Sequence, residues 1–370
     1  MRNNYTFRTI RLANKYPLLT SIIKQVVFWI IAFSLLVIII HLNALSIFKT
    51  IDRDFNITFS SLISFVLFAG LSLGVSLGII DGLLEKRYFK NRPLGISILI
   101  GSLLYFIVLI GIVTLTRKVF LEHAGSFFFD ETTALVLDKN WKYYYFILLI
   151  YTFFMTLVMS FINQMSKKFG PGLLLPFLFG RFRQPREEER IFMFLDLEAS
   201  TKLAENLGHI KYSSLIQDCF LDINKKVKDY NAEIYQYVGD EIVVSWPLNS
   251  FRNLNCIDFF FSVQKQFRER EAFYLSKYKS LPFFKAGVHA GMVTAVEVGD
   301  VKRDIAYHGD TLNVAARLEK LCGIYKKPIL ISEAVKNLQK DKSKYNISSL
   351  GIKTLTGRES KIEIFSIQKV

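Results

Sequence analysis

The stretch Tyr235-Gln236-Tyr237-Val238-Gly239-Asp240-Glu241-Ile242-Val243-Val244-Ser245-Trp246 decides how the C-terminal half folds. Strand-like runs at 233–238 and 242–246 flank Gly239-Asp240-Glu241, a turn composition, so they read as a hairpin with a carboxylate at its tip. Upstream, Ile191 to Leu195 read as a buried strand that ends at Asp196. Two neighbouring strands can therefore present Asp196 and Asp240 at one edge of a sheet.

Outward from the hairpin, helical and strand patterns alternate. Ile216, Phe220, Ile223, Val227 and Tyr230 recur at helical spacing, which predicts a helix over 209–230. Further helices are expected near 255–277 and 310–322, with strands near 284–290, 293–298, 328–332 and 361–368. That order suits an antiparallel or mixed sheet with helices on one face, an α+β domain.

The other half of the chain has a different composition. The 370 residues exceed one ordinary core, and long apolar runs with few charges stop near residue 165. Residues 25–42, 57–80, 94–116 and 143–165 each approach the roughly 20 apolar residues that cross a bilayer. The expected organisation is a four-span membrane domain over 1–165, a linker over 166–187 and a soluble domain over 188–370.

Arg2, Arg8, Arg11 and Lys15 precede the first run, Lys86, Arg87, Lys90 and Arg92 follow the second, and Lys167, Lys168, Arg181, Arg183 and Arg186 follow the fourth. The positive-inside rule puts these regions, both termini and the soluble domain on the cytoplasmic side of a cell membrane. The net charge of +15 then suits adhesion to an anionic bilayer. No nucleic-acid recognition motif accompanies the basic residues, so a nucleic-acid partner is not expected.

Gly70, Gly74 and Gly78 recur every four residues in the second run, a stripe that lets helix backbones approach closely. Gly170-Pro171-Gly172 and the apolar run Leu173 to Phe179 form the joint between the halves; seven apolar residues cannot span, so they lie on the membrane or against the soluble domain. Cys219, Cys256 and Cys322 fit no zinc or redox spacing and read as buried free thiols.

Asp196 and Asp240 are the carboxylates suited to Mg²⁺ or Mn²⁺, since hard cations take one or two carboxylates together with substrate phosphates. Asn313 and Arg317 lie four residues apart and share a helix face. The stretches that carry these residues are Phe194-Leu195-Asp196-Leu197, Val238-Gly239-Asp240-Glu241, Gly287-Val288-His289-Ala290-Gly291, His308 to Leu318 and Leu355-Thr356-Gly357-Arg358. In this order they resemble the class III adenylyl and guanylyl cyclase catalytic domain, a ferredoxin-like α+β fold, over residues 188–368.

The resemblance implies a phosphorus-oxygen lyase that makes a cyclic nucleotide and pyrophosphate for signal transduction. It assigns two divalent ions to Asp196, Asp240 and the Leu197 carbonyl, the ribose to Asn313, the reacting phosphate to Arg317 and the triphosphate tail to Arg358. It also implies a homodimer, with the metal carboxylates of one copy facing the Asn-Arg pair of the other. The base-selecting positions depart from the family. Gln236 stands where adenylyl cyclases usually have Lys, and Ala306 where they have Asp or Thr. Gln236 can pair with either purine edge, so ATP is expected first and GTP second.

Two other readings compete. Gly-Asp-Glu on a hairpin also occurs in diguanylate cyclases, but Val238 and Ile242 replace that signature's flanking residues and the Asn313–Arg317 pair is foreign to it. A degenerate domain that only senses nucleotide is the non-enzyme alternative. Glu241 and Asp310 read as turn or cap residues, and His289 as structural.

Overall fold

The computed structural model of the chain describes residues 16–50, 59–87, 94–119, 131–169, 174–248, 255–338, 344–354 and 361–369. The basic N-terminus and most of the loops between the apolar runs lie outside these. The chain divides into two compact units between Leu174 and Leu175.

The first unit is helical: α1 (Pro17–Thr50), α2 (Phe59–Arg87), α3 (Leu94–Val119) and α4 (Glu131–Phe169). Three segments are long and apolar enough to cross a bilayer, Pro17–Ile47, Val66–Leu83 and Lys142–Ser166. In α3 the apolar stretch among the described residues is Leu99–Thr114. The expectation of four spans is thus met by three among the described residues. The glycine stripe packs within this unit. Gly70 lies on Ile30, Gly74 on Val26 and Gly78 on Ile22, and a Cβ on Gly74 would sit 2.4 Å from the Val26 Cα.

The one-turn helix α5 (Leu174–Leu178) straddles the boundary, and the second unit continues β1 (Arg186–Leu197), α6 (Ser200–Leu207), α7 (His209–Val227), β2 (Glu233–Val238) and β3 (Glu241–Pro247). Then come α8 (Asn255–Glu269), α9 (Glu271–Tyr278), β4 (Phe284–Val298), β5 (Asp304–His308), α10 (Asp310–Tyr325), β6 (Ile329–Ser332), α11 (Glu333–Leu338), β7 (Tyr345–Thr354) and β8 (Lys361–Lys369). The strands form one sheet in the order β2-β3-β1-β4-β6-β8-β7, with β5 on the distal half of β4. All the pairings are antiparallel except β4 with β6. Part of the expected linker belongs to this unit: Phe182 is buried, and its carbonyl accepts the Glu297 N–H at 2.7 Å.

Alternation along the strands separates two faces. Ile191, Met193, Leu195 and Leu197 of β1, with Ala286 and Val288 of β4, join the large core beside α7, α8 and α9. Phe192, Val243 and Val293 point the other way, toward Leu312 and Ala315 of α10. Helices therefore cover both faces, not one as the pattern implied.

The seat of α10 is made by glycine. A Cβ on Gly287 would lie 2.1 Å from the Glu319 backbone nitrogen and 2.2 Å from the Ala315 carbonyl, so α10 crosses β4 almost backbone to backbone. Gly291 gives similar room to Thr311, whose hydroxyl donates to the Met292 carbonyl at 2.7 Å. These contacts keep β4 continuous where two strands were expected.

The helix expected over 255–277 instead breaks at Arg270. Asp222 is fully buried, and its carboxylate accepts from Arg270 at 2.5 Å, Tyr274 at 2.7 Å and Lys225 at 2.6 Å. Serving that buried charge turns the chain between α8 and α9. The three cysteines are buried and unpaired, as expected.

The glycine seat carries a test. Gly287→Ala forces α10 off the sheet, and overpacking of this kind costs about 1–3 kcal/mol. Thermal unfolding should show the loss, and an unchanged midpoint would contradict the close crossing.

Candidate active site

Asp196 lies at the end of β1, on the α10 face. The register sets it opposite Glu241 of β3 on one side and Lys285 of β4 on the other. Val238 pairs with Glu241, so Gly239-Asp240 is a two-residue hairpin loop. Gly239 has φ 61°, the left-handed conformation such tight loops require. Asp240 is thereby held beside the end of β1. From above, α10 adds Glu319, buried, whose carboxylate lies 3.4 Å from the Lys285 ammonium. Lys285 Nζ is 3.8 Å from Asp196 Oδ2.

Four carboxylates, Asp196, Asp240, Glu241 and Glu319, thus share one corner, where Lys285 lies within 4 Å of two of them and Lys320 acts on Glu241 and Glu319. Burial, then the charges of Glu319 and Asp240, push Asp196 up to about 6 against the pull of Lys285. Burial with Asp196, Glu319 and Asp240 raises Glu241 to about 7. Burial also raises Glu319, against Lys285. Burial and the Asp240 charge raise the Tyr212 hydroxyl, which hydrogen-bonds Asp240 and Ser200.

This negative excess is what a hard divalent cation would relieve, and the donor set is all oxygen. Among the described residues, no three metal-ligating side chains converge into a ready-made cage. The residues fit Mg²⁺ or Mn²⁺ bound by one or two carboxylates and completed by substrate phosphates. Leu197 follows Asp196 at the strand end, its side chain in the core and its backbone hydrogen-bonded to the Asp196 carboxylate.

Asn313 and Arg317 lie on α10 as the spacing implied, Asn313 exposed and Arg317 half-buried. The Nη1 atom of Arg317 is buried with no hydrogen-bond partner among the described residues. A buried guanidinium donor without an acceptor is costly, and an anion such as a phosphate is its natural complement.

Gln236 is exposed on β2 beside a register irregularity, and Ala306 is half-buried on β5 opposite Val296. Their chain neighbours hold these two strands together: the Tyr235 hydroxyl accepts the Tyr307 N–H at 3.2 Å, and the two rings pack edge to face at 5.1 Å. Arg358 lies outside the described residues.

Sequence reasoning did not find Glu319 or Lys285, and it read Glu241 as a turn residue. The structure corrects that: Glu241 opens β3 and faces Asp196. The signal available was alternation, because Glu241 and Lys285 occupy the sheet face of Asp196 once the strands are registered. His289 is structural as read, with Nδ1 2.7 Å from the Ser332 hydroxyl.

Comparison with known proteins bears on the family. The family described as the adenylate and guanylate cyclase catalytic domain matches residues 183–369. Adenylate cyclase 2 of Rhizobium meliloti (strain 1021) is 28% identical over 272 residues, 73% of this chain and 73% of that protein. That alignment is longer than the catalytic match and so extends into the N-terminal half. Adenylate cyclase 1 of the same organism is 27% identical over 187 residues, 49% of this chain and 27% of that protein. The structure of a bacterial light-regulated adenylyl cyclase shares the fold, with a TM-score of 0.50 and 20% identity over 59% of this chain and 64% of that one. By the family match, with the α+β fold and the carboxylate corner behind it, the chain belongs to the class III nucleotidyl cyclases.

Proposed function

We propose that this protein is an integral-membrane adenylate cyclase, converting ATP to 3′,5′-cyclic AMP and pyrophosphate at sites shared by two copies of the chain. The observation that carries this reading is the carboxylate corner of Asp196, Asp240, Glu241 and Glu319, where burial and then neighbouring like charge hold Asp196 at about 6 and Glu241 at about 7. Such crowding costs stability in the protein alone and becomes favourable when cations enter with a triphosphate.

In the reaction the ribose 3′ hydroxyl gives up its proton to solvent and its oxygen bonds to the α-phosphorus as the bond to pyrophosphate breaks. Asp196, Asp240 and the Leu197 carbonyl would hold the divalent ions. Bound there, the ions would supply positive charge that stabilises negative charge on the attacking and leaving oxygens. Asn313 holds the ribose so that its 3′ oxygen faces phosphorus in line. The Arg317 guanidinium donates to the phosphate oxygens on which charge builds, and Arg358 binds the triphosphate tail. Positioning and charge stabilisation account for the catalysis.

Asp196 and Asp240 come from one copy and Asn313 and Arg317 from the other, so the active unit is a homodimer. The likeness to two adenylate cyclases supports ATP. A guanylyl or relaxed specificity is the second reading, because Gln236 serves either purine edge and Ala306 offers no hydrogen bond.

The helical unit anchors the enzyme through four spans, with both termini in the cytoplasm. Outward-facing Ile31, Leu42, Leu99, Leu103, Ile150 and Phe154 support a lipid environment, since a water-soluble unit rarely leaves so much apolar surface bare.

Incubating the detergent-solubilised protein with Mg²⁺ or Mn²⁺ and each of ATP, GTP, CTP and UTP tests the reading, with products identified by mass. Cyclic AMP should dominate and vanish in Asp240→Ala. Arg317→Ala should lower kcat on the order of 100- to 1,000-fold. A metal-dependent product insensitive to both substitutions would contradict the assignment.

The raised carboxylates also predict a pH dependence. Unfolded Asp and Glu titrate near about 4, so below about 7 the native state holds protons that the unfolded chain has released. Stability without metal should therefore fall as pH rises through that window. Mn²⁺ should raise the unfolding midpoint more at about pH 8 than at about pH 5.5, because bound ions require deprotonated ligands. An equal shift at both would contradict it.

A further inference from the structure

A cluster of polar side chains between the long helices, Gln25 buried and Asp81 and Asn163 half-buried, is not used by cyclase chemistry. Asp81 of α2 accepts hydrogen bonds from Gln25 of α1 at 2.6 Å, from Asn163 of α4 at 3.0 Å and from the Tyr105 hydroxyl of α3. Gln25 is fully buried and accepts from Trp29 Nε1 at 3.0 Å. Lys24 Nζ donates to Asn163 Oδ1 at 3.3 Å. One carboxylate therefore ties together all four helices.

The remaining packing is uneven. The glycine stripe closes α2 against α1 over most of their length, and α3 packs chiefly on α4, with the Ser102 hydroxyl donating to Ser160 at 3.1 Å. Contacts between the two pairs are sparse. The bonds to Asp81 bridge them, together with Gln25 Nε2 donating to the Tyr105 hydroxyl at 3.3 Å, Lys24 donating to Asn163, and the Tyr151 hydroxyl, which donates to the Ala32 carbonyl at 2.5 Å.

Half-buried at the end of an apolar run, the ionised Asp81 carboxylate is stabilised by the donors it accepts from. Here three donors from three helices satisfy one side chain, so neutralising it weakens all three links together. Asn163 lies near the end of α4, the helix whose chain leads on to Leu174.

We propose that this cluster is a latch. The Asp81 carboxylate holds the α1–α2 pair against the α3–α4 pair, and engaging or releasing it resets α4 and with it cyclase output. Two rigid pairs joined by a few directional bonds can take discrete arrangements, which is what a switch requires. The output half of the proposal rests on the reading of the chain as a membrane cyclase.

The test uses the full chain in liposomes, with Asp81→Asn and Asp81→Glu beside the wild type. Ala32→Cys with Tyr151→Cys, joined by a short bismaleimide, reports the gap between the pairs. Ser102→Cys with Ser160→Cys, joined as a disulfide, reports the contact within one pair. The native cysteines are buried in the other unit.

Asp81→Asn should slow the 32–151 link about 5-fold or more, leave the 102–160 disulfide intact and change turnover, without the added cysteines, by about 5-fold or more. Asp81→Glu should lie nearer the wild type in both. An unchanged 32–151 link, or a changed link with unchanged turnover, would overturn the latch. Loss of the 102–160 disulfide as well would assign Asp81 a purely structural role and overturn it too. The links are read without nucleotide, so a wild type that lacks turnover contradicts the cyclase reading while the links still decide the latch.

Discussion

The close passage of α10 over β4 is the constraint on which the catalytic unit depends. Because Gly287 has no side chain, the helix backbone sits directly on the sheet. This brings Glu319 over the register pair Asp196–Lys285 and presents Asn313 and Arg317 from the same helix. A helix held at ordinary side-chain distance would leave Glu319 out of the corner. The chemistry is thus built by a backbone contact, and the side chains follow.

Charge separates the working corner from the structural networks. Buried Asp222 is matched by Lys225, Tyr274 and Arg270, and although burial works to raise it, those hydrogen bonds hold it below the usual carboxylate range. Buried Arg190 is matched by Glu188, Glu233 and Ser245 and stacks over Tyr307 at 4.8 Å. The Asp196 corner is mismatched, with carboxylates raised by burial and by one another beyond what Lys285 and Lys320 offset. Buried charge paired with opposite charge fixes a fold, even where one atom such as Arg190 Nε lacks a hydrogen-bond partner, whereas crowded like charge marks a place prepared for a partner of opposite sign.

Much of this was legible in the sequence because it is local. Alternation around Gly239-Asp240 gave the hairpin, apolar spacing gave α7, and the four-residue interval gave the shared face of Asn313 and Arg317. What stayed hidden depends on tertiary contacts. The break at Arg270 follows from a buried carboxylate far away in sequence, and the continuity of β4 follows from α10 settling on two glycines. Glu319 and Lys285 join the site only once β1, β4 and α10 are in register. Asp81 is a single acid at the end of an apolar run, and its donors lie in three separate helices.

The central claim is that catalysis needs the carboxylate corner of one copy and the Asn-Arg pair of another. Mixing Asp240→Ala protein with Arg317→Ala protein, each inactive alone, tests it directly. A homodimer with two equivalent sites predicts that an equimolar mixture recovers about one quarter of wild-type turnover, since half the dimers are mixed and each carries one intact site. Recovery near that level would establish the shared site. A mixture as inactive as its components, with subunit exchange verified, would mean that each copy builds its site alone.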